Sequence, residues 1–233
     1  MYGSRFTFHP ARVSASRDET PLMRSLRLEV DADVAGSHEE AGQFVEVRLP
    51  GESSGGFFAI ANAPDGRSIE LLIKRGQGLP DELAELGVGA IVETSAAMGR
   101  GFPVAACRGK SLLLFATGSG FAPIRAVLQE VARLRDAFGR VDLFFGVRSG
   151  GEFPYEAELR AWESAGIRVH RAVSRPAASE EAYAGYVQQR FREALPPVED
   201  AVAMLCGLQG MIEGVTEALL QAGMPPDRIL QNV

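Results

Sequence analysis

A glycine-rich turn follows a buried-looking apolar run near the middle of the chain. Residues Leu112 to Ala116 are apolar, the segment 117–120 reads Thr-Gly-Ser-Gly, and Pro123 opens a segment with helical spacing. This pattern predicts a strand, a tight turn and a helix. Glycine permits close approach to a ligand, and a helix N-terminus attracts phosphate. The spacing Gly-x-Gly-x-x-Pro lacks the third glycine of the usual dinucleotide fingerprint, so alone it also fits a turn that serves only geometry.

Residue types that bind nucleotides occur at three further predicted strand ends. Arg148 could reach a phosphate or a ribose, and Cys206-Gly207 ends a later strand. Ser174, Arg175 and Tyr186 together would suit an adenosine 2′-phosphate, because arginine binds phosphate through paired hydrogen bonds and stacks on adenine. Each arginine also fits a solvated loop, and Cys206 also fits a small buried hydrophobe.

The elements that must position these residues change in type near residue 105. The first hundred residues contain short β-rich segments between turn residues, which predicts a small antiparallel barrel, with a helix at 79–86 covering one end. From Lys110 onward, apolar strands alternate with amphipathic helices, which predicts a doubly wound parallel sheet with helices on both faces. The sequence therefore predicts two domains: an N-terminal antiparallel β-barrel at 1–104 and a C-terminal α/β doubly wound parallel sheet at 105–233. Predicted barrel strands are 13–16, 26–30, 44–49, 57–61, 69–74 and 91–94, and the first helix of the parallel unit is predicted to present an apolar face from Ile124 to Phe138.

Composition limits the classes of partner and compartment. The 233 residues carry a formal net charge of −6 and no run of Lys or Arg, which argues against nucleic acid or an anionic membrane. No stretch approaches the ~20 apolar residues of a membrane span, and no signal-peptide core follows Met1. We expect a cytoplasmic monomer or homodimer.

Cysteine and histidine usage argues against a metal centre. Cys107 and Cys206 are too few for a disulfide framework, a structural zinc site or a four-cysteine iron–sulfur cluster. His9, His38 and His170 are far apart in sequence and are predicted to be surface or loop residues. Redox chemistry in this chain would therefore need an organic cofactor.

The order of these features resembles the ferredoxin-NADP reductase superfamily over essentially the whole chain. Segment 56–62 matches the flavin-side pattern Arg-x-Tyr-Ser-x-x-Ser, segment 71–76 resembles the strand facing the isoalloxazine ring, and segment 95–102 resembles the glycine loop at the flavin diphosphate. The plant fruit-protein type of reductase is the most similar, including the ending 227–233. The resemblance implies FAD-binding residues Phe57, Phe58, Ala59, Ile60, Asn62, Leu72, Ile73, Lys74, Met98, Gly99, Arg100 and Gly101, and nicotinamide nucleotide-binding residues Thr117, Gly118, Gly120, Pro123, Arg148, Ser174, Arg175, Tyr186, Cys206 and Gly207.

The function implied by this resemblance is that of a flavin-dependent NAD(P)H oxidoreductase. Hydride would pass from NAD(P)H to FAD, and electrons would pass onward to a separate protein or small-molecule acceptor. Cys206 would flank the nicotinamide, and Ala59 stands where the family has a serine beside flavin N5, so these are the predicted catalytic positions. NADP is slightly favoured over NAD because of Ser174, Arg175 and Tyr186.

Departures from the family pattern lie on the flavin side. Gly56 replaces the arginine that binds the flavin diphosphate, Phe58 replaces the tyrosine, and Ala59 replaces the serine. Loss of these hydrogen bonds predicts FAD binding weaker by about two to three orders of magnitude. Arg100 and Lys74 are candidates to compensate.

Two alternatives remain open at this point. One is a non-catalytic nucleotide-binding or partner-docking module of the same fold that has lost tight flavin binding. The other is an obligate electron-transfer subunit similar to that of dihydroorotate dehydrogenase, against which the missing cysteine cluster counts.

Overall fold

Two six-stranded sheets make up the computed structural model, which describes residues 6–177 and 183–232. The predictions that concern residues 1–5 and Val233 lie outside the described residues. The first sheet is antiparallel and the second is parallel with helices between its strands, so the predicted fold class is confirmed. None of the helices in the described ranges is long and apolar enough to cross a membrane.

The antiparallel sheet closes into a barrel. Its strands are β1 His9–Thr20, β2 Met23–Glu29, β3 Phe44–Arg48, β4 Gly56–Ala59, β5 Ser68–Lys74 and β6 Ile91–Thr94, and the accompanying helices are α1 Ala32–Ser37 and α2 Leu79–Ala84. The strand order is β4-β3-β6-β1-β2-β5, and the two edge strands meet where Ile60 bridges Leu71 and the Ala61 N–H donates to the Glu70 carbonyl at 2.7 Å. Alternating side chains such as Leu26 and Leu28 fill the interior, because successive residues of a strand point to opposite faces.

The strands of the parallel sheet are β7 Ser111–Thr117, β8 Val141–Val147, β9 Arg168–Val173, β10 Tyr183–Ala184, β11 Ala201–Cys206 and β12 Ile229–Gln231, and its helices are α3 Phe121–Arg133, α4 Glu156–Ser164, α5 Val187–Ala194 and α6 Gln209–Gln221. The strand order is β10-β9-β8-β7-β11-β12. Residues of α3 and α4 pack in the core on one face, and residues of α5 and α6 pack on the other, as predicted. The chain reverses direction across the sheet between β8 and β11, which flank β7, and such a switch point is where open α/β sheets bind ligands.

Three helix predictions need correction. Helix α3 ends at Arg133 and does not reach Phe138, because Leu134 leaves helical geometry with φ −129° and a short 3-10 turn follows. Phe138 is still buried, which explains its apolar character. Helix α2 ends at Ala84 instead of 86, and the six-residue α1 was not predicted although Asp31 caps it by accepting the Val34 N–H at 2.9 Å.

The histidine prediction is wrong for His170 and incomplete for His38. His170 lies within β9, stacks on Phe144 at 4.3 Å between ring centroids, and bonds Asp142 at 2.8 Å. His38 lies in a loop but is only 5% exposed. His38 is therefore buried and His170 partly buried, with 14% of its side chain exposed, and a polar residue type gives no signal of such packing in sequence.

The segment between the sheets runs from the end of β6 to the start of β7. It contains a short 3-10 helix, Val104–Cys107, in which the predicted boundary at 104/105 falls. Phe102 and Val104 pack in the same hydrophobic cluster as α3. Because this cluster includes side chains from both sheets, the division at 104/105 stays a prediction.

Candidate functional site

A cleft of about 370 Å³ lies between the barrel and the parallel sheet, and we call it the inter-sheet cleft. One wall is formed by β4 and β5, and the other by the loops that follow β7 and β11. It therefore brings together predicted residues from both halves of the chain. The lining residues are Phe57, Phe58, Ala59, Leu72, Lys74, Thr117, Gly118, Ser119, Gly120, Ala122, Pro123, Cys206, Gly207 and Leu208.

The two loops of the parallel sheet are fastened to each other. The Leu208 N–H donates to Thr117 Oγ1 at 2.9 Å. A Cβ on Gly120 would lie 2.6 Å from Gly207 Cα and 2.7 Å from the Cys206 carbonyl oxygen. Glycine is therefore needed at 120 because no side chain fits between the loops.

The N-terminus of α3 points the helix dipole toward this wall. The helix begins at Phe121 after the 3-10 turn Gly118–Gly120, and no side chain caps it. A Cβ on Gly118, which has φ +54°, would meet nothing within 4 Å. The open turn beside an uncapped helix start has the geometry that suits an anionic ligand.

The barrel wall is largely apolar. Phe57 is 63% exposed and packs edge-on against Phe44 with ring centroids 5.9 Å apart. A Cβ on Gly56 would lie 3.1 Å from the Phe58 ring and 3.2 Å from Leu79 Cδ2. The family's arginine position is thus covered by an apolar pair.

Several predicted flavin residues have other places in the fold. Ile60 and Ile73 are fully buried in the barrel core. Asn62 is buried because its side chain donates to the Ala63 and Ser68 carbonyls and accepts the Glu70 N–H at 2.6 Å. These three positions hold the barrel together and do not line the cleft.

The predicted glycine loop lies one strand away from β4. Met98 pairs with Phe44, and Phe44 pairs in turn with Ala59. The Gly99 carbonyl accepts a hydrogen bond from Gln43 Nε2 at 3.1 Å. The loop 98–101 therefore flanks the cleft across β3, with Arg100 exposed and Gly101, at φ +62°, held against Ala41.

The predicted 2′-phosphate residues form a separate group at the ends of β8 and β9. The Ser174 N–H donates to Val147 at 3.1 Å, and the Arg175 N–H donates to the Arg148 carbonyl at 2.8 Å. Both arginine side chains are exposed, and neither makes a salt bridge within the described residues. Tyr186 caps the start of α5, beyond residues 178–182, which lie outside the described ranges. These four residues do not line the inter-sheet cleft.

Burial controls the chemistry of Cys206. Burial raises the pKa of its thiol to about 11, although a hydrogen bond with Asn232 opposes the shift. The group facing the cleft at neutral pH is therefore a protonated thiol. Burial also raises the pKa of Cys107.

A buried network between the two sheets was missed by sequence reasoning. Arg125 of α3 is 4% exposed; it donates to the Ala61 carbonyl at 2.7 Å, pairs with Glu70 and Glu158 at 3.1 and 2.6 Å, and lies 3.8 Å over the Tyr155 ring. Burial and the Glu70 carboxylate raise the pKa of Tyr155, whose hydroxyl donates to Glu70 at 2.9 Å. One signal was available, because Arg125 interrupts the apolar stretch 121–128 and a charge there requires a buried partner.

Comparison with known proteins adds family information. Residues 114–217 match the model of the oxidoreductase NAD-binding domain. The chain is 31% identical to sulfhydrogenase 2 subunit gamma of Pyrococcus furiosus over 206 residues, covering 82% of this chain and 70% of that protein. It is 25% identical to fruit protein pKIWI502 of Actinidia deliciosa, covering 94% and 74% of the two chains.

Solved structures share the fold over nearly the whole chain. The ferredoxin reductase in carbazole 1,9a-dioxygenase aligns with a TM-score of 0.83 at 24% identity, covering 98% of this chain and 69% of that one. A ferredoxin NADP+ reductase from Neisseria gonorrhoeae with bound FAD and NADP aligns with a TM-score of 0.80 at 20% identity, covering 96% and 97%.

Proposed function

The chain belongs to the ferredoxin-NADP reductase superfamily, and on that premise we propose that it is an FAD-dependent NAD(P)H oxidoreductase that passes electrons to a separate acceptor. The observation that carries the proposal is the inter-sheet cleft. Its barrel wall carries the predicted flavin positions Phe57 to Ala59, and its opposite wall carries the predicted nicotinamide positions at 117–120 and 206–207.

The residues of the cleft fit the ring portion of a flavin. Phe57, Ala59 and Leu72 offer an apolar strand surface, and the open turn at Gly118 leaves space on the opposite wall. The fit to the diphosphate is poorer, because Gly56 provides no cation. We therefore assign the ring to β4 and β5, with loop 98–101 as the candidate neighbour of the diphosphate.

The task of the protein in this reaction is orientation. Bound flavin and NAD(P)H supply the hydride acceptor and donor. Holding two reactants in line contributes about 7–11 kcal/mol toward the barrier. Gly120 and Gly207 allow the loops after β7 and β11 to contact each other closely beside the proposed nicotinamide site. The protonated Cys206 thiol adds no negative charge to that site. The N-terminus of α3 stabilises phosphate groups.

NADP is the nucleotide that we propose. Arg148 and Arg175 are exposed cations joined by a backbone hydrogen bond, in a chain whose net charge is −6. Two neighbouring arginines support binding of the 2′-phosphate that distinguishes NADP from NAD. Ser174, which precedes Arg175 in the chain, and Tyr186 complete the set of residues proposed for this phosphate.

A redox protein is the acceptor that we propose. Relatives of this chain are named as a sulfhydrogenase subunit and as the ferredoxin–NAD(+) reductase component of an alkene monooxygenase system, so both are parts of larger enzymes. This likeness supports a redox protein as the electron acceptor.

Anaerobic spectroscopy tests the proposal. Purified protein supplemented with FAD is expected to show the visible flavin absorbance, which bleaches on addition of NADPH or NADH. Protein that binds flavin but does not bleach with either nucleotide would contradict the reductase assignment.

A second candidate is a non-catalytic nucleotide-binding or partner-docking module. Gly56, Phe58 and Ala59 favour it, because all three lack the polar groups of the family pattern. Binding of NAD(P)H without any flavin binding is the result that would support this module.

A further inference from the structure

The surface that would face a flavin diphosphate is apolar at β4. Gly56 has no side chain, and the space beside it is occupied by Phe58 and Leu79 at 3.1 and 3.2 Å from a Cβ position. Phe58 and Leu79 both pack against the barrel core. A side chain at 56 would require both of them to shift by a few tenths of an ångström.

Carboxylates lie on both sides of this surface. Glu46 is buried, and its Oε1 accepts the Gly55 N–H at 3.1 Å. Glu40 lies against the glycine loop, where its Cβ would be 2.7 Å from a Cβ on Gly101. Neither of these places provides a cation for an anionic diphosphate.

Nearby arginines are already paired. Arg48 binds Glu93 at 2.6 Å and covers the Phe8 ring at 3.8 Å. Arg75 is held by Glu85 and Asp18. Lys74 lines the cleft on the side of β5, and Arg100 lies in the exposed loop.

The ring wall, in contrast, is fully built. Phe57 is fixed edge-on against Phe44, and Leu72 is buried beneath the cleft. A planar flavin ring gains stacking and apolar contact on this wall regardless of which phosphate groups its side chain carries.

Resting on the proposed function, we infer that the inter-sheet cleft recognises the flavin ring and not the diphosphate, so that riboflavin, FMN and FAD bind with similar affinity as exchangeable flavins. The dissociation constants of the three are expected to agree within about tenfold. A single charge-assisted phosphate contact would change affinity by about 10- to 100-fold, so the comparison is decisive.

The direct test is quenching of flavin fluorescence by the full chain, titrated separately with riboflavin, FMN and FAD. FAD binding more than about tenfold tighter than riboflavin would overturn this inference and leave the proposed function standing. Failure of all three flavins to bind would overturn both.

Variants at β4 test whether the missing cation at position 56 is the reason that FAD and riboflavin bind with similar affinity. Gly56→Arg with Phe58→Leu adds the cation and removes the ring that blocks it, and the preference for FAD over riboflavin is expected to rise at least about tenfold. Gly56→Ala with Phe58→Leu is the matched control, in which the preference should stay unchanged. An equal rise in both would show that space and not charge sets the preference, which contradicts the inference.

Arg100 is the strongest competing anchor. Arg100→Ala is expected to leave the affinity ratio of FAD to riboflavin unchanged, as is the control Arg108→Ala on the exposed surface. A selective loss of FAD binding in Arg100→Ala would place the diphosphate on this loop and overturn the inference.

Discussion

The Cys206 thiol, with its pKa raised to about 11 by burial, is almost entirely protonated at pH 8. Since the thiolate is the reactive form, alkylation of native Cys206 should be about a few hundredfold slower than that of an ordinary cysteine. Mass spectrometry of a timed iodoacetamide reaction measures this rate. The urea-unfolded chain is the control, and rapid labelling of Cys206 in the native protein would contradict the raised pKa of its thiol.

His38 makes stability depend on pH. Its pKa is lowered to about 4 by burial, while both ring nitrogens lack a hydrogen-bond partner among the described residues. Between pH ~6.5 and 4 the unfolded chain therefore binds more protons than the folded protein does. The free energy of unfolding falls as the pH drops through this window, and the stability associated with neutral His38 is fully present above it. From pH 7 to pH 5 the loss due to His38 should be about 2 kcal/mol.

Replacement isolates this histidine. His38→Leu should reduce the change in unfolding free energy between pH 7 and pH 5 by about 2 kcal/mol, as measured by urea unfolding at both pH values. It should also be no less stable than the wild type at pH 7, because unpaired buried polar groups are removed. An unchanged slope would show that His38 does not titrate in this window.

Arg175 is expected to select NADPH. Arg175→Ala should raise the KM for NADPH by about 10- to 100-fold through loss of a charge-assisted phosphate contact, with little change for NADH. Steady-state rates with both nucleotides measure the split, and Arg192→Ala, an exposed arginine on α5, is the control. A wild-type preference for NADH would contradict the assignment.

At the scale of elements, the junction between β7, α3 and β11 depends on Gly120. A Cβ there would lie 2.6 Å from Gly207 Cα, so Gly120→Ala should cost about 1–3 kcal/mol of unfolding free energy and weaken NAD(P)H binding. Gly210→Ala in α6 is the control, since its Cβ meets nothing within 4 Å and alanine favours helix. Urea unfolding and nucleotide titration compare them, and equal behaviour of both variants would disprove the close approach.

Element prediction succeeded where a local pattern was sufficient. Strands such as β5 and β8 were placed within one or two residues, because apolar runs bounded by turn residues carry the signal locally. Helix α1 was missed because six residues give no full apolar repeat. Phe138 kept the helical spacing by coincidence, since its burial comes from the core beyond the end of α3.

At the scale of the whole molecule, Arg125 joins the two walls of the cleft. It reaches from α3 to Ala61 and Glu70 of the barrel, close in sequence to the lining residues Ala59 and Leu72. Arg125→Met would remove the nearer cation of Glu70 and the partner of Glu158, and leave Glu70 only Arg27 at 3.8 Å, so the free energy of unfolding should fall by about 3–5 kcal/mol.

The same change should affect hydride transfer more than flavin binding. Arg125 does not line the cleft, so Arg125→Met should slow flavin reduction by NAD(P)H at least about tenfold while the affinity for flavin changes little. Stopped-flow reduction and urea unfolding measure the two effects, with Arg125→Lys expected to recover part of each. Arg160→Met, which breaks an exposed pair with Glu156, is the control. An unchanged rate of flavin reduction in Arg125→Met would show that Arg125 does not position the two walls of the cleft for hydride transfer.

The sequence by itself determined the order of the strands and helices other than α1 and β10, the two-part fold and the loops at the cleft. These depend on local periodicity and on glycine and proline, whose effects act within a few residues. Only the tertiary structure decided that Tyr155 meets Glu70, 85 residues away, and that Arg125 is buried between the sheets. It likewise decided that Phe58 and Leu79 close the space beside Gly56. Such contacts follow from packing of distant segments, which no local pattern encodes.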